Sequence, residues 1–169
     1  SSPDYPYRCP PAPYERASMI ANYLKGKSVK FKILIFDSKN SFTKKSIFLK
    51  EWKEMYGNSI EWVSKQNGGQ ISRFEKKKVF NSDGEKIKGD FIHIIPEQKA
   101  GKIIFDSELC KNDWCTINPQ TFQLLNFKDI YAVGDSVDAG DMPKSAFSAE
   151  SQAKILSLNL INRILQKSY

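Results

Sequence analysis

At 169 residues the chain has the length of one globular domain or of a piece of a larger protein. Its 26 Lys and Arg against 19 Asp and Glu leave a formal charge of +7, which permits attraction to acidic proteins, anionic substrates, nucleic acid or membrane surfaces. The excess lies in Lys44-Lys45, Lys76-Lys77-Lys78 and Lys86/Lys88 without the interleaved aromatics of a single-strand binder, so no nucleic-acid partner is expected.

No apolar run is long enough to span a bilayer and no charged-then-apolar leader is present, so the sequence reads as a soluble product with no transmembrane segment, any leader having been removed. Pro3, Pro6, Pro10, Pro11 and Pro13 open the chain, and a helix is expected from Pro13 or Tyr14 to about Lys25, with Met19, Ile20, Tyr23 and Leu24 as its apolar stripe. A strand over Lys30–Asp37 follows, then a helix over Lys44–Tyr56 with Phe48, Leu49, Trp52 and Met55 inward, closed by Gly57. From Ile60 the pattern turns to short strands: IEWVS, a small antiparallel excursion through QISRFEKKKVFNS with a turn at Asp83-Gly84, and a return to the sheet in DFIHIIP. Residues Glu97 to Phe127 read as an irregular connection. A strand at Ile130–Val133 then runs into Gly134-Asp135, and a final helix spans about Lys144 to Lys167.

The strand, Gly134-Asp135 and following helix form the most chemically suggestive stretch. In flavoproteins such an arrangement sets a carboxylate against ribitol hydroxyls and a helix N-terminus, with its partial positive charge, beneath the flavin pyrimidine edge. An ordinary strand-to-helix turn would look the same. Near the other end, Arg8-Cys9-Pro10-Pro11 occupies the place where a doubly wound fold carries its glycine-rich phosphate turn. Proline has no N–H for a pyrophosphate and its ring fills the space glycine leaves open, so NAD binding there is disfavoured, and Asp37 reads as a helix cap or surface acid rather than a ribose ligand.

That turn instead presents Cys9, expected to be extended because proline follows it, beside Arg8 and a helix start, neighbours that favour a reactive thiolate. Cys110 and Cys115 complete a set of three, too few for a disulfide miniprotein and without the paired spacing of a zinc site. His93, within FIHII, reads as a packed, hydrogen-bonded core residue.

Laid out together, these segments resemble the flavin-binding subunit of flavocytochrome c sulfide dehydrogenase, a relative of sulfide:quinone oxidoreductase in the glutathione-reductase-like superfamily. The matching stretches are Tyr7-Arg8-Cys9-Pro10-Pro11-Ala12-Pro13-Tyr14-Glu15-Arg16-Ala17, Ile35-Phe36-Asp37-Ser38, Ile94-Ile95-Pro96 with Ala100-Gly101-Lys102-Ile103, Trp114-Cys115, and Val133-Gly134-Asp135 with Met142-Pro143-Lys144-Ser145. The resemblance implies an α/β fold: a Rossmann-like NAD(P)-binding-type domain of a two-dinucleotide-binding-domain flavoprotein, with a small antiparallel excursion. Residues 1–126 would be the central pyridine-nucleotide-binding-like domain, and residues 127–169 a return into the FAD-binding domain.

It further implies sulfide as substrate, oxidised at a disulfide formed by cysteines matching Cys9 and Cys115, the latter nearer the flavin, with electrons passing through FAD to a c-type cytochrome subunit in the periplasm. FAD would be held by Gly134, Asp135, Pro143, Lys144, Ser145 and Ala146. The superfamily's GxGxxG fingerprint, the residues for covalent flavin attachment and the C-terminal flavin-side domain are missing, so the chain reads as a fragment that binds FAD weakly or not at all and is inactive alone. Rival expectations are a quinone-reducing relative, an NAD-dependent disulfide reductase, and a non-catalytic domain with a structural disulfide.

Overall fold

The computed structural model describes residues 1–110 and 112–165. Helix and strand alternate through the first part of the chain as α1 (Ala12–Gly26), β1 (Ile33–Phe36), α2 (Lys45–Tyr56) and β2 (Ile60–Val63). β1 and β2 pair in parallel, Ile33 opposite Ile60 and Phe36 opposite Val63, a geometry that needs a crossover element such as α2 between them. β3 (Ile71–Glu75), β4 (Lys78–Asn81) and β5 (Lys86–Lys88) then form the expected antiparallel sheet, with Gly84 at φ +82° in the turn before β5. The later elements are α3 (Lys102–Asp106), the short parallel pair β6 (Cys115–Thr116) and β7 (Val137–Asp138), and α4 (Ala146–Ile164). Residues 1–5 and 10–97 make one compact unit, and residues 6–9 with the chain from Gln98 onward make another. The boundary drawn from the sequence after residue 126 falls inside the second unit. Extension of the last helix to Lys167 lies outside the described residues.

In the first unit the core is Tyr14, Ala17, Ala21, Ile35, Phe42, Trp52 and Ile60. This corrects the expected stripe on α1: Met19 and Tyr23 are 72% and 63% exposed, while Tyr14 and Ala21 are fully buried. Small alanines let the helix approach its neighbours closely, and the Tyr14 ring stacks on Phe42 with centroids 3.6 Å apart. On α2, Trp52 is buried as expected and its indole N–H reaches the Ser18 hydroxyl at 2.8 Å, whereas Leu49 and Met55 stay at the surface.

Asp37 is likewise neither a cap nor a surface acid. It is fully buried and accepts hydrogen bonds from the Tyr14 hydroxyl at 2.6 Å and the Trp62 indole at 2.8 Å, with the Lys39 ammonium at 2.7 Å. Burial lowers the Lys39 pKa from its ordinary value, with the hydrogen bond and charge of Asp37 opposing the shift.

The expected strand DFIHIIP is not formed. A strand needs a ladder of backbone partners, and here the His93 carbonyl accepts from the amino-terminal ammonium at 2.6 Å without a continuing ladder among the described residues. His93 is half-buried, with Arg16 Nη1 3.1 Å from its Nε2. Burial first, then the Arg16 charge and the amino terminus, hold its pKa below the usual 6.5.

Removing Lys39 would leave the Asp37 carboxylate buried without its counter-charge. K39M is therefore expected to cost about 3–5 kcal/mol in urea unfolding, and D37N/K39M to recover part of that loss. For His93 the unfolded chain takes up a proton more readily than the folded one, so stability declines as pH falls through 6.5 toward the lower folded value. Thermal melts of wild type and H93N over that interval should show the wild-type slope flattened in the variant.

Candidate functional site

The second unit is built around Cys115, Ile117, Phe122, Leu124 and Val137. Cys115 faces Val137 across the β6–β7 pair, and Thr116 faces Asp138. The strand expected at Ile130–Val133 shrinks to a single antiparallel bridge, Tyr131 to Gln123, flanked by bonds from Leu124 N to Ile130 O and from Ala132 N to Phe122 O. Without a longer partner the chain turns at once. Gly134 adopts φ +75°, and a 3₁₀ turn spans Gly134–Ser136. A Cβ at Gly134 would sit 3.5 Å from that of Ala149, an ordinary contact, so the positive φ and not crowding is what favours glycine there. Its N–H donates to Gln152 Oε1 at 2.6 Å. Gln152, buried on the inner face of α4 together with Ser148, was not singled out in the sequence. The signal was available as Ser145, Ser148 and Gln152 at spacings of three and four on one helical face.

Lys144 ties the site together. It is only 8% exposed, and its ammonium donates to the main-chain oxygens of Asp135, at 3.0 Å, and of Val137, at 2.5 Å. The same ammonium stands 3.8 Å from the centroid of the Trp114 ring, a cation–π contact strengthened by desolvation. Burial lowers the pKa of this lysine from its ordinary value, while the carboxylates of Asp135 and Asp138 oppose the shift. Its own carbonyl accepts from Cys9 N at 2.7 Å, within a parallel bridge between Arg8 and Lys144.

Arg8 extends from that bridge to Asp135, Nε to Oδ2 at 3.2 Å, and its N–H donates to Gln98 Oε1 at 2.8 Å. The structure thus brings Cys9, Gly134, Asp135 and Lys144 together with Arg8 and Trp114.

Two expectations about the sulfurs change. Cys9 has φ +54°, a left-handed conformation that non-glycine residues rarely adopt, instead of an extended one; its hydrogen bond to Lys144 holds it there. Cys115, fully buried, is bridged to Cys110 with Cα atoms 5.0 Å apart, and Cys9 is free. The resemblance pairs Cys115 with Cys9, whereas five-residue proximity makes Cys110 the local partner.

Pro143 does not begin the helix. Ser145 is the N-cap, its hydroxyl accepting from Ser148 N at 3.2 Å, and Ala146 is the first helical residue. Ala149 N is taken by Ser145 O. The N–H groups of Ala146 and Phe147 have no partner within the helix, and both residues are exposed.

Solved structures share this architecture. The sulfide:quinone oxidoreductase of Aquifex aeolicus matches with a TM-score of 0.77 at 18% identity, over 98% of this chain and 43% of that one. LpdA from Mycobacterium tuberculosis matches with 0.55 at 16% identity, over 92% and 33%. The reduced CoADR-RHD of Bacillus anthracis gives 0.53 at 17%, over 87% and 28%. The fold is therefore that of the FAD/NAD-binding flavoprotein oxidoreductases, and this chain spans less than half the length of each of these proteins. Residues 1–96 match the family model described as the central part of the sulfide dehydrogenase [flavocytochrome c] flavoprotein chain, and the chain belongs to that family.

If Ser145 is what closes the start of α4, S145A will lose about 1 kcal/mol of stability and S145D will keep it. G134A should lose about 1–2 kcal/mol through its positive φ alone. Chemical denaturation of the three variants checks both values.

Proposed function

We propose that this chain is the part of a sulfide-oxidising flavoenzyme that carries the reactive sulfurs and one end of the FAD cradle, residues 1–126 being its central pyridine-nucleotide-like domain and residues 127–169 the return into the FAD domain. The observation that carries this reading is the convergence on Lys144 of Cys9, Trp114 beside Cys115, and the Gly134-Asp135 turn.

The residues fit a flavin. Asp135 keeps a partly exposed carboxylate whose ion pair is with the 75% exposed Arg8 side chain, so it can accept from ribitol hydroxyls. The unpartnered N–H groups at the start of α4 suit a carbonyl oxygen that gains negative charge. When bound, the flavin supplies two-electron acceptance from a thiolate and one-electron release to an acceptor. Asp37 is saturated by Tyr14, Trp62 and Lys39, which leaves no free carboxylate for a nicotinamide ribose at that position and argues against a pyridine-nucleotide reductase.

Sulfide oxidation begins with hydrosulfide attacking a disulfide sulfur. One S–S bond breaks, a persulfide forms on the attacked cysteine, and the electron pair leaves on the other cysteine as thiolate. Cys9 and Cys115 are the pair assigned to this step. Arg8 and Lys144 provide positive charge near an anionic substrate. A c-type cytochrome subunit is the acceptor and the periplasm the compartment in this reading, both resting on the family. No described helix is long and apolar enough to cross a membrane.

In the complete protein, C9S should abolish flavin bleaching by sulfide in stopped-flow absorbance; bleaching at the wild-type rate would instead make the cysteines structural. D135A should weaken FAD retention through loss of a charge-assisted hydrogen bond, about 1.5–3 kcal/mol or roughly tenfold to hundredfold in Kd, read by titration of the apoprotein.

A further inference from the structure

Three cysteines belong to the second unit, and the disulfide the fold forms is not the one assigned to catalysis. Cys115 is the fixed member: it lies in β6, fully buried, and is paired in register with Val137. Cys110 lies five residues away outside any strand and lines a cavity of about 210 Å³ with Leu109, Thr116, Leu124 and Phe127. Cys9, from a distant part of the chain, is linked to the residues next to Cys115 through Lys144. Its N–H bonds to the Lys144 carbonyl, while the Lys144 ammonium bonds to the carbonyl of Val137 and stacks on Trp114, the residue before Cys115. A free thiol in a left-handed backbone conformation is thereby anchored to the residue that also anchors the surroundings of a buried disulfide.

We propose that the Cys110–Cys115 bridge is one of two states, and that Cys9 exchanges into it with Lys144 as the positioning residue. The Cys9 thiol gives its proton to solvent and the thiolate attacks the Cys115 sulfur. A Cys9–Cys115 bond forms, the Cys110–Cys115 bond breaks, and its electron pair leaves on Cys110, which then takes up a proton.

One disulfide and one thiol are present before and after, so no oxidant is consumed. Cys115 is closed to external thiols by burial, and the cavity beside Cys110 gives the departing thiol room. The exchange deepens the sulfide-oxidising reading and rests on it for its purpose: the bridge to Cys110 stores the disulfide, and transfer to Cys9 delivers it to the substrate-facing pair.

The test is disulfide mapping of the chain, incubated anaerobically without added thiol or disulfide, quenched in acid, alkylated and digested without reduction. Trypsin cuts after Arg8 and Lys111, placing the three cysteines on separate peptides. Wild type should yield both Cys110–Cys115 and Cys9–Cys115 linked peptides. C110S oxidised with glutathione disulfide should yield Cys9–Cys115 as its intrachain bridge, and K144M should retain Cys110–Cys115 while losing most of Cys9–Cys115.

Wild type holding Cys110–Cys115 alone at every time point and pH would overturn the proposal, whatever the variants do. So would a K144M sample as rich in Cys9–Cys115 as wild type. Because the assay involves neither sulfide nor flavin, its failure is separable from that of the enzymatic reading. Exchange without sulfide-driven bleaching would retain the former and remove the latter.

Discussion

A buried ammonium with no carboxylate in ion-pair contact among the described residues is expensive, and the second unit is organised around meeting that expense at Lys144. Two main-chain oxygens and the face of Trp114 replace the water that the charge gives up. The partners come from two pieces of chain, the continuous Gly134–Asp138 segment and the loop before β6. The lysine's own carbonyl fixes a third piece, the Arg8-Cys9 segment. One residue therefore links a thiol, the neighbour of a disulfide and a candidate flavin-binding turn, the first through its carbonyl and the others through its charge.

The first unit buries charge by the opposite strategy. Asp37 and Lys39 neutralise each other directly, and two aromatic donors complete the carboxylate's hydrogen bonds. A pair closed in this way specifies packing but has no capacity left for a ligand. Lys144 and the exposed Arg8–Asp135 pair are differently placed, since Asp135 can change partners at little electrostatic cost when its present one is a solvent-screened guanidinium. The chemistry proposed for the chain follows this division, with a saturated ribose position in one unit and an exchangeable carboxylate beside sulfur in the other.

The disulfide illustrates how local and long-range constraints compete. Cys110 meets Cys115 across a short stretch of chain, a closure that costs little entropy. Cys9 is more than a hundred residues from Cys115 in the chain, so a bridge between them closes a far longer loop. A local bridge with a free third cysteine in the same unit is the condition under which the proposed exchange has two states to move between.

The order and type of most elements were legible in the sequence: both early helices, the strands on either side of α2 and the antiparallel excursion with its turn at Gly84. Their periodicity, glycine breaks and proline-initiated first helix are local properties. The family was legible too, chiefly in the Cys9 segment, which lies within the residues that match the family model. Only tertiary structure decided which face of α1 is buried, since the aromatic demand of Asp37 outweighed the larger apolar stripe carrying Met19 and Tyr23.

It likewise decided that residues 90–96, read as a strand, lack a ladder, because pairing depends on a neighbour that propensity cannot supply. The positive φ of Cys9, the burial of Lys144 and the choice of Cys110 as partner belong to the same class. Each results from contacts between residues far apart in the chain, whose energies arise only when the backbone brings them into reach.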